Sequence, residues 1–188
     1  YLRKELSRGE LRDESFINQD KICRQLKISR APLRDALIQL EAERFVQILP
    51  RRGVRIKKLT LKDIKDSYGI LSAVESYAVA SGFHKFKSLH IKRMEELNQG
   101  LHEMLDSKQF EEYYHLNLKF HDVFLSLSEN TLVGDIVYPL KQRLYDFPRM
   151  QYNREWELIN LAEHERFVHS VKAGNRDAAV AVLRYEHW

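Results

Sequence analysis

Two arginines four residues apart, Arg30 and Arg34, lie in the block Ser29-Arg30-Ala31-Pro32-Leu33-Arg34-Asp35-Ala36-Leu37, and a second basic pair, Arg51-Arg52, precedes Gly53. Guanidinium forks match phosphates and the acceptor edge of guanine, so the chemistry on offer there is recognition of nucleic acid. A second set of residues is Asn117, His121, His164 and His187. Asn117 and His121 are one helical turn apart and project from one face, and two further helices could each bring a histidine to the same point. Such convergence inside a helical bundle suits a divalent metal ion. A histidine on an apolar helix face is also an ordinary satisfied core residue, and for each one taken singly that reading stays open.

The elements that must carry the arginines follow from caps and periodicity. Ser29 is an N-cap residue, and Pro32 stands in the first turn, where its missing N–H costs no helical bond. Leu33, Leu37 and Leu40 then form an apolar stripe, with Arg30 and Arg34 on another face. Just before it, Asn18 caps a shorter helix that buries Ile22, Cys23 and Leu26, joined to Ser29 through Lys27-Ile28. Beyond the helix, Phe45–Leu49 and Val54–Ile56 read as β-branched strands separated by the turn Pro-Arg-Arg-Gly. A capped helix with two leading arginines, followed by a basic hairpin, describes a winged helix-turn-helix that reads double-stranded DNA.

Charge separates this region from the rest. Residues 1–58 hold 15 Lys+Arg against 8 Asp+Glu, whereas the remaining residues hold 16 against 19. A phosphate-binding domain attached to a domain with another task has this asymmetry. The chain of 188 residues, 44% hydrophobic with 7 Gly and 4 Pro, is long enough for one small and one medium core and is expected to be mainly helical. Its single Cys23 excludes an internal disulfide framework and reads as a buried structural thiol. No run of eighteen apolar residues and no signal-peptide pattern appears, so the expectation is a cytoplasmic protein with no membrane partner. Tyr1–Leu6 reads as the middle of a helix and Trp188 as another helix's interior, as if the chain were trimmed at both ends.

Past Lys58 the pattern changes to long amphipathic segments. Thr60 with Asp63 is a capping-box variant, and Leu61 to about Lys85 keeps Ile64, Tyr68, Leu71, Val74 and Ala78 on one side. Further helices are expected over Leu89–Asp106, Phe110–Ser128, Leu132–Tyr152, Glu155–Ala173 and Arg176–Trp188, the last capped by Asn175 after Gly174. The expected architecture is a winged helix-turn-helix over residues 1–58 and an antiparallel bundle of about six helices over 59–188. The strip Tyr113, Tyr114, Phe120, Phe124, Tyr138, Tyr145, Phe147 and Tyr152 suggests an aromatic interior, mostly core with one or two rings lining a cavity.

These motifs resemble the GntR family of bacterial transcription regulators. That family's recognition helix typically opens Ser-Arg-Thr-Pro-Val-Arg-Glu-Ala-Leu, continues Leu-Glu-x-Glu-Gly and is followed by a wing with Arg-Arg-Gly. The match falls on Ser29, Arg30, Pro32, Arg34, Ala36, Leu37, Leu40, Glu41, Glu43, Arg51, Arg52 and Gly53. The resemblance implies that Ser29, Arg30, Ala31 and Arg34 face the major groove and that Arg51, Arg52 and Gly53 reach the minor groove or the backbone. Ala31 replaces the usual Thr and lacks its hydroxyl, and Arg44 stands where Gly normally ends the helix.

Residues 60–188 resemble the FCD effector domain of the FadR subfamily, through Phe120-His121, Ser128-Glu129-Asn130, Glu163-His164 and Ala173-Gly174-Asn175 with Ala178-Ala179. In many such domains an Asp or Asn, the His four residues later, the His of the Glu-His pair and a His near the C-terminus hold a zinc-like ion. Asn117, His121 and His164 take the first three positions here. An ungapped alignment puts the fourth on Glu186, with His187 one residue later; a one-residue slip turns a helical side chain by about 100°, so one of the two faces inward. His187 is favoured by ligand softness and Glu186 is kept open. The Arg that commonly meets a carboxylate effector on the domain's first helix is replaced by Leu71, and Arg143, Arg149 and Tyr145 are candidates to take its part, the arginines otherwise being solvated surface. The resemblance implies a dimeric, non-enzymatic regulator that binds a palindromic operator and responds to a small metabolite, in all expectation an organic acid. A metal-dependent enzyme and an interaction module with a silent effector site are the alternatives.

Overall fold

The computed structural model describes residues 1, 2, 5, 15–146 and 153–188. The chain divides into two compact units, Tyr1–Ile64 with Pro139–Met150 and Lys65–Tyr138 with Gln151–Trp188. Eight α-helices and one two-stranded antiparallel sheet make up the regular framework of the described residues, so the fold is mainly α.

In the first unit, α1 (Gln19–Leu26) starts where the Asn18 side chain accepts from the Lys21 N–H, 2.9 Å, and stops where Lys27 turns left-handed at φ 53°. The next helix, α2 (Arg30–Ala42), sends Leu33, Leu37 and Leu40 into a core shared with Ile22, Phe45, Val46, Val54 and Ile56. Ser29 occupies the N-cap position, but its hydroxyl makes no capping bond. The cause lies in the sequence: Pro32 fills the third helical position, whose N–H is a usual partner for the cap. Cys23, expected to be buried, is only half-buried at the edge of this core.

α2 ends in a Schellman motif: the Phe45 N–H reaches the Leu40 carbonyl and the Arg44 N–H the Glu41 carbonyl, both 2.9 Å, with Arg44 left-handed at φ 65°. A side chain in that conformation crowds its own carbonyl, which glycine avoids. Arg44→Gly is therefore expected to stabilise this unit by roughly 0.5–1 kcal/mol. An unchanged or lower melting temperature in thermal unfolding would contradict this.

The chain then forms β1 (Val46–Leu49) and β2 (Gly53–Ile56), paired Val46↔Ile56, Gln47↔Arg55, Ile48↔Val54 and Leu49↔Gly53. Residues 15–17 extend the pairing along the other edge of β2: the Ile17 N–H donates to the Val54 carbonyl at 2.8 Å and the Ile56 N–H to the Ser15 carbonyl at 2.9 Å.

The long helix α3 (Leu61–Gly82) opens with the expected reciprocal cap, Thr60 N–H to Asp63 Oδ2 and Asp63 N–H to Thr60 Oγ1, both 3.1 Å. Its buried stripe differs from the apolar one expected: Ser67, Leu71, Ser72, Glu75, Ser76, Ala78, Val79 and Gly82 face inward, and Tyr68 and Val74 are only half-buried. Small side chains let neighbouring backbone come close. At Gly82 a Cβ would lie 2.9 Å from the Leu127 carbonyl oxygen, so no other residue fits without displacing backbone.

In the second unit α4 (Ser88–Asp106) packs against both α5 (Phe110–Leu125) and α7 (Arg154–Lys172). Leu101, Leu105, Tyr113 and Leu161 close one cluster between them. Between α5 and α7 the chain forms α6 (Leu132–Asp146), which carries Pro139 inside it. The sequence-predicted end of α6 at Tyr152 lies outside the described residues.

α8 (Arg176–Ala181) is capped as expected, with the Asn175 side chain accepting from the Ala178 N–H at 3.0 Å, but it does not continue as an α-helix. Val182–His187 is π-helical. A π turn holds one residue more than an α turn and shifts every later side chain around the axis. No helix among the described residues is long and apolar enough to cross a membrane.

Candidate nucleic-acid interface and metal centre

The arginines lie at the exposed start of one helix and at the tip of a hairpin. Arg30, Ala31 and Arg34 are exposed on the leading turns of α2, beside the exposed Ser29. The four N–H groups that open a helix lack intrahelical partners, and with no acidic residue in this first turn they favour an anion. At the wing tip the Arg52 N–H closes a turn onto the Leu49 carbonyl, 3.0 Å, with Arg51 at φ 61° and Gly53 at φ 106°. Gly53 is required there, because a Cβ at that φ is strained whatever the space around it. Glu41 joins helix to wing, its Oε1 accepting from the Ile48 N–H at 2.7 Å.

Arg30 is already engaged: its Nη2 donates to Asp20 Oδ1 on α1 at 2.7 Å, with both side chains largely exposed. That hydrogen bond, with the charge of Asp20, raises the guanidinium pKa above its ordinary value. A phosphate or base edge must therefore displace or share Asp20. Asp20→Asn is expected to tighten duplex binding a few-fold, since exposed pairs are individually weak, and on the specific site at least as much as on random DNA. Unchanged affinity for both would contradict the role of Asp20 as a competitor.

The second site is built from α5, α7 and the π turn of the second unit. His121 and His164 are buried, at 0% and 1% exposure, and His187 is 9% exposed. One ligand nitrogen from each lies within 4.8 Å of the others, the one such His/Cys/Asp/Glu group among the described residues. Each ring has its Nδ1 tied outward: His121 to Glu75 Oε2 at 2.8 Å, His187 to Glu163 Oε2 at 3.0 Å and His164 to Asn98 Oδ1 at 3.1 Å. His164 is also stacked on Phe120 at 3.9 Å, which fixes its ring plane. Metal-binding histidines are held this way, with the second nitrogen's hydrogen bond setting tautomer and orientation.

The Nε2 atoms of His121 and His187 stand 3.2 Å apart. With Nδ1–H donated to the two carboxylates, a neutral ring of either residue presents a lone pair at Nε2, and two lone pairs at that distance repel unless a proton or a cation lies between. Two nitrogens about 2.0–2.1 Å from a tetrahedral zinc stand roughly 3.3 Å apart, so the spacing of this pair and the donor set of all three rings fit a divalent transition metal.

Of the two candidates for the fourth position, His187 is the one turned toward His121 and His164. Glu186 points outward and pairs with Arg166 at 2.9 Å. The π turn accounts for the difference, because it moves the inward direction on by one residue. Asn117 is buried on α5, one turn before His121. Trp188 completes the surroundings, its Nε1–H donating to Glu75 Oε2 at 2.9 Å and its ring meeting Tyr68 edge-on at 5.2 Å.

Two of the effector candidates, Arg143 and Tyr145, belong to the first unit. Arg143 is not a solvated arginine: it is 2% exposed and pairs with Asp63 at 3.0 Å, within the first unit. Burial works against the Asp63 carboxylate, but hydrogen bonds from Thr60 and Arg143 outweigh it and hold its pKa at about 2. Tyr145 is half-buried in the same unit, and Arg149 lies outside the described residues, as do Phe147 and Tyr152. Among the aromatic strip, Tyr113, Phe120 and Phe124 are buried core, whereas Tyr138 is 47% exposed and so is not interior. Sequence reasoning missed Glu75, Asn98 and Trp188 and gave Glu163 no role of its own. Next to His164 in the chain, Glu163 serves His187 on another element. Glu75 carried a usable signal, a carboxylate on an otherwise small and apolar stripe.

Comparison with known proteins places both halves. The family model for the FCD domain matches residues 66–186, and the model for bacterial regulatory proteins of the gntR family matches residues 1–56. The HTH-type transcriptional regulator YdhC of Bacillus subtilis is 25% identical over 183 residues, covering 95% of this chain and 80% of its own. The gluconate operon transcriptional repressor of Bacillus licheniformis is 23% identical, covering 97% of this chain and 77% of its own. Among solved structures, Escherichia coli McbR/YncC superposes with a TM-score of 0.78 at 17% identity, covering 97% of this chain and 87% of that one.

Proposed function

Because the chain belongs to the GntR family of bacterial transcription regulators and carries its FCD effector domain, we propose that it binds a palindromic operator as a homodimer, with an affinity set by a small carboxylate effector, and that it holds a divalent ion, zinc by preference, on His121, His164 and His187. Family membership sets aside the metal-dependent enzyme: this is a DNA-binding regulator responsive to a ligand. Operator binding assigns it to the cytoplasm, where its DNA is.

The observation that carries the DNA reading is the joined pair of elements, α2 with exposed Arg30 and Arg34 and the wing with exposed Arg51 and Arg52, tied by the Glu41–Ile48 bond. One head of this size contacts too few base pairs to find a site in a genome, and two heads on a two-fold axis double the contacts. Residues 1–58 would form that head and residues 59–188 the effector and dimerisation domain, with Ser29, Ala31 and Gly53 bringing backbone close to DNA.

The metal reading is supported by three imidazoles with separately fixed Nδ1 atoms, and Asn117 offers a neutral oxygen as a further donor. When bound, the ion would supply a positive, Lewis-acidic centre able to accept an effector carboxylate. Glu75, Glu163 and Asn98 hold the rings in place whether or not an effector is present. Arg143, Tyr145 and Arg149 remain candidates to contact the effector, and Arg143 would first have to leave Asp63. By linkage, an effector that favours one arrangement of the heads changes operator affinity by the same factor by which DNA changes effector affinity.

The test is selection of bound duplexes from a random pool, followed by titration of the enriched site at several salt concentrations. The expected result is a short inverted repeat, bound at least about a thousandfold tighter than random DNA and with a steep salt slope. Recovery of a single unrepeated half-site would overturn the dimeric palindrome, and recovery of no motif would overturn the sequence-specific reading.

A further inference from the structure

The three histidines are nearly closed off from solvent, so an ion has to reach them past a side chain. Two sides come close to the surface. On one, Trp188 is held by its bond to Glu75 and by its edge-on contact with Tyr68. On the other, facing stripes of α4 and α7 leave a cleft of about 260 Å³. Its rim is crossed by two ion pairs, His102 Nε2 with Glu165 Oε1 at 3.3 Å and Lys172 Nζ with Glu95 Oε1 at 3.0 Å, and His169 stands one turn from Glu165. Asn98, 6% exposed, lines the same cleft, and its Oδ1 is the atom that accepts from His164 Nδ1 at 3.1 Å. Asn98 thus joins a surface cleft to the outer, Nδ1 edge of the buried His164 ring.

From this arrangement we infer that the α4–α7 cleft is the loading site for the ion: a divalent transition metal is captured from solvent by His102 and Glu165 and passes Asn98 to reach His164. The inference rests on the metal reading given above. The chemistry of the rim suits the task. An imidazole beside a carboxylate offers two donors of the types such ions prefer, on side chains exposed enough to move. Two carboxylates against one lysine also draw cations. The Nδ2 of Asn98 is held by a long bond to the Leu161 carbonyl, 3.5 Å, so turning its amide costs chiefly the 3.1 Å bond that its Oδ1 accepts from His164.

A route changes rates and not the final equilibrium, which makes the inference separable from the reading beneath it. The full chain is stripped with a chelator and mixed with Co²⁺, whose visible absorption reports nitrogen coordination. In the double variant His102→Ala/Glu165→Gln, uptake is expected to slow at least tenfold, chelator-driven release to slow by the same factor, and final stoichiometry and spectrum to stay those of the unsubstituted protein. Lys172→Glu, which removes the cation from the rim, is expected to accelerate uptake several-fold at low salt. Uptake by the double variant at the original rate would overturn the route. A lowered stoichiometry would overturn it too, by making the pair a separate binding site. Failure of the unsubstituted protein to take up any Co²⁺ would remove the metal reading and the route together.

Discussion

Replacing Arg30 by alanine is expected to weaken binding to the selected operator roughly five- to 150-fold, the range for loss of one bidentate base contact. The loss should fall mainly on the specific site, with random duplex affected much less, because a base contact carries sequence information that a phosphate contact lacks. In the selected pool, the base pair opposite Arg30 should also lose its preference. Since Arg30 is paired with Asp20 before DNA arrives, removing the arginine leaves Asp20 as an uncompensated negative charge at the interface. The double substitution with Asp20→Asn should therefore recover part of the general affinity but none of the base preference. Titration of the operator and of one scrambled duplex at matched salt checks both statements. Unchanged operator affinity in Arg30→Ala would remove this residue from the groove.

The second large effect concerns the histidines. His121→Ala and His187→Ala are each expected to abolish retention of zinc through gel filtration, whereas Glu186→Gln retains it, since Glu186 pairs with Arg166 on the outside. A ligand present at about a thousand times its dissociation constant stabilises a fold by roughly 4 kcal/mol. For a protein of this size that is about 8–16 °C in melting temperature, and this zinc-dependent rise should vanish in the two histidine variants. His121→Ala should lower stability without zinc as well, by about 1–3 kcal/mol, because the fully buried Glu75 carboxylate loses its imidazole partner. The difference between runs with and without zinc isolates the metal effect. If His187→Ala kept its zinc and Glu186→Gln lost it, the inward assignment of His187 would fail. Operator binding by the zinc-free variants is expected to persist, as the α2 and wing arginines belong to the other unit.

Much of this was legible in the chain because it is written in local rules. Asn18, Thr60 with Asp63, and Asn175 each cap the helix that their spacing indicates, and the Pro-Arg-Arg-Gly turn falls between the two strands it separates. What escaped depended on partners far apart in sequence. Glu75 meets His121 46 positions later, and Asn98 meets His164 after 66. No periodicity marks such pairs, since each residue shows only that it is polar on a buried face. The pairing of Arg143 with Asp63 was hidden in the same way. Ser29 takes the expected N-cap position, and its missing capping bond has a local cause: the proline that marks the first turn also withholds the N–H that the hydroxyl needs.

The choice between Glu186 and His187 turned on helix type, which composition does not reveal. The π turn at Val182–His187 also acts as a correction of reading frame. A chain with one residue fewer in that turn could run on as a plain α-helix and still present the same imidazole to His121, because deletion and loss of the bulge cancel. A chain one residue longer keeps its histidine by bulging. This segment can thus gain or lose a residue over evolutionary time while its inward imidazole stays in place.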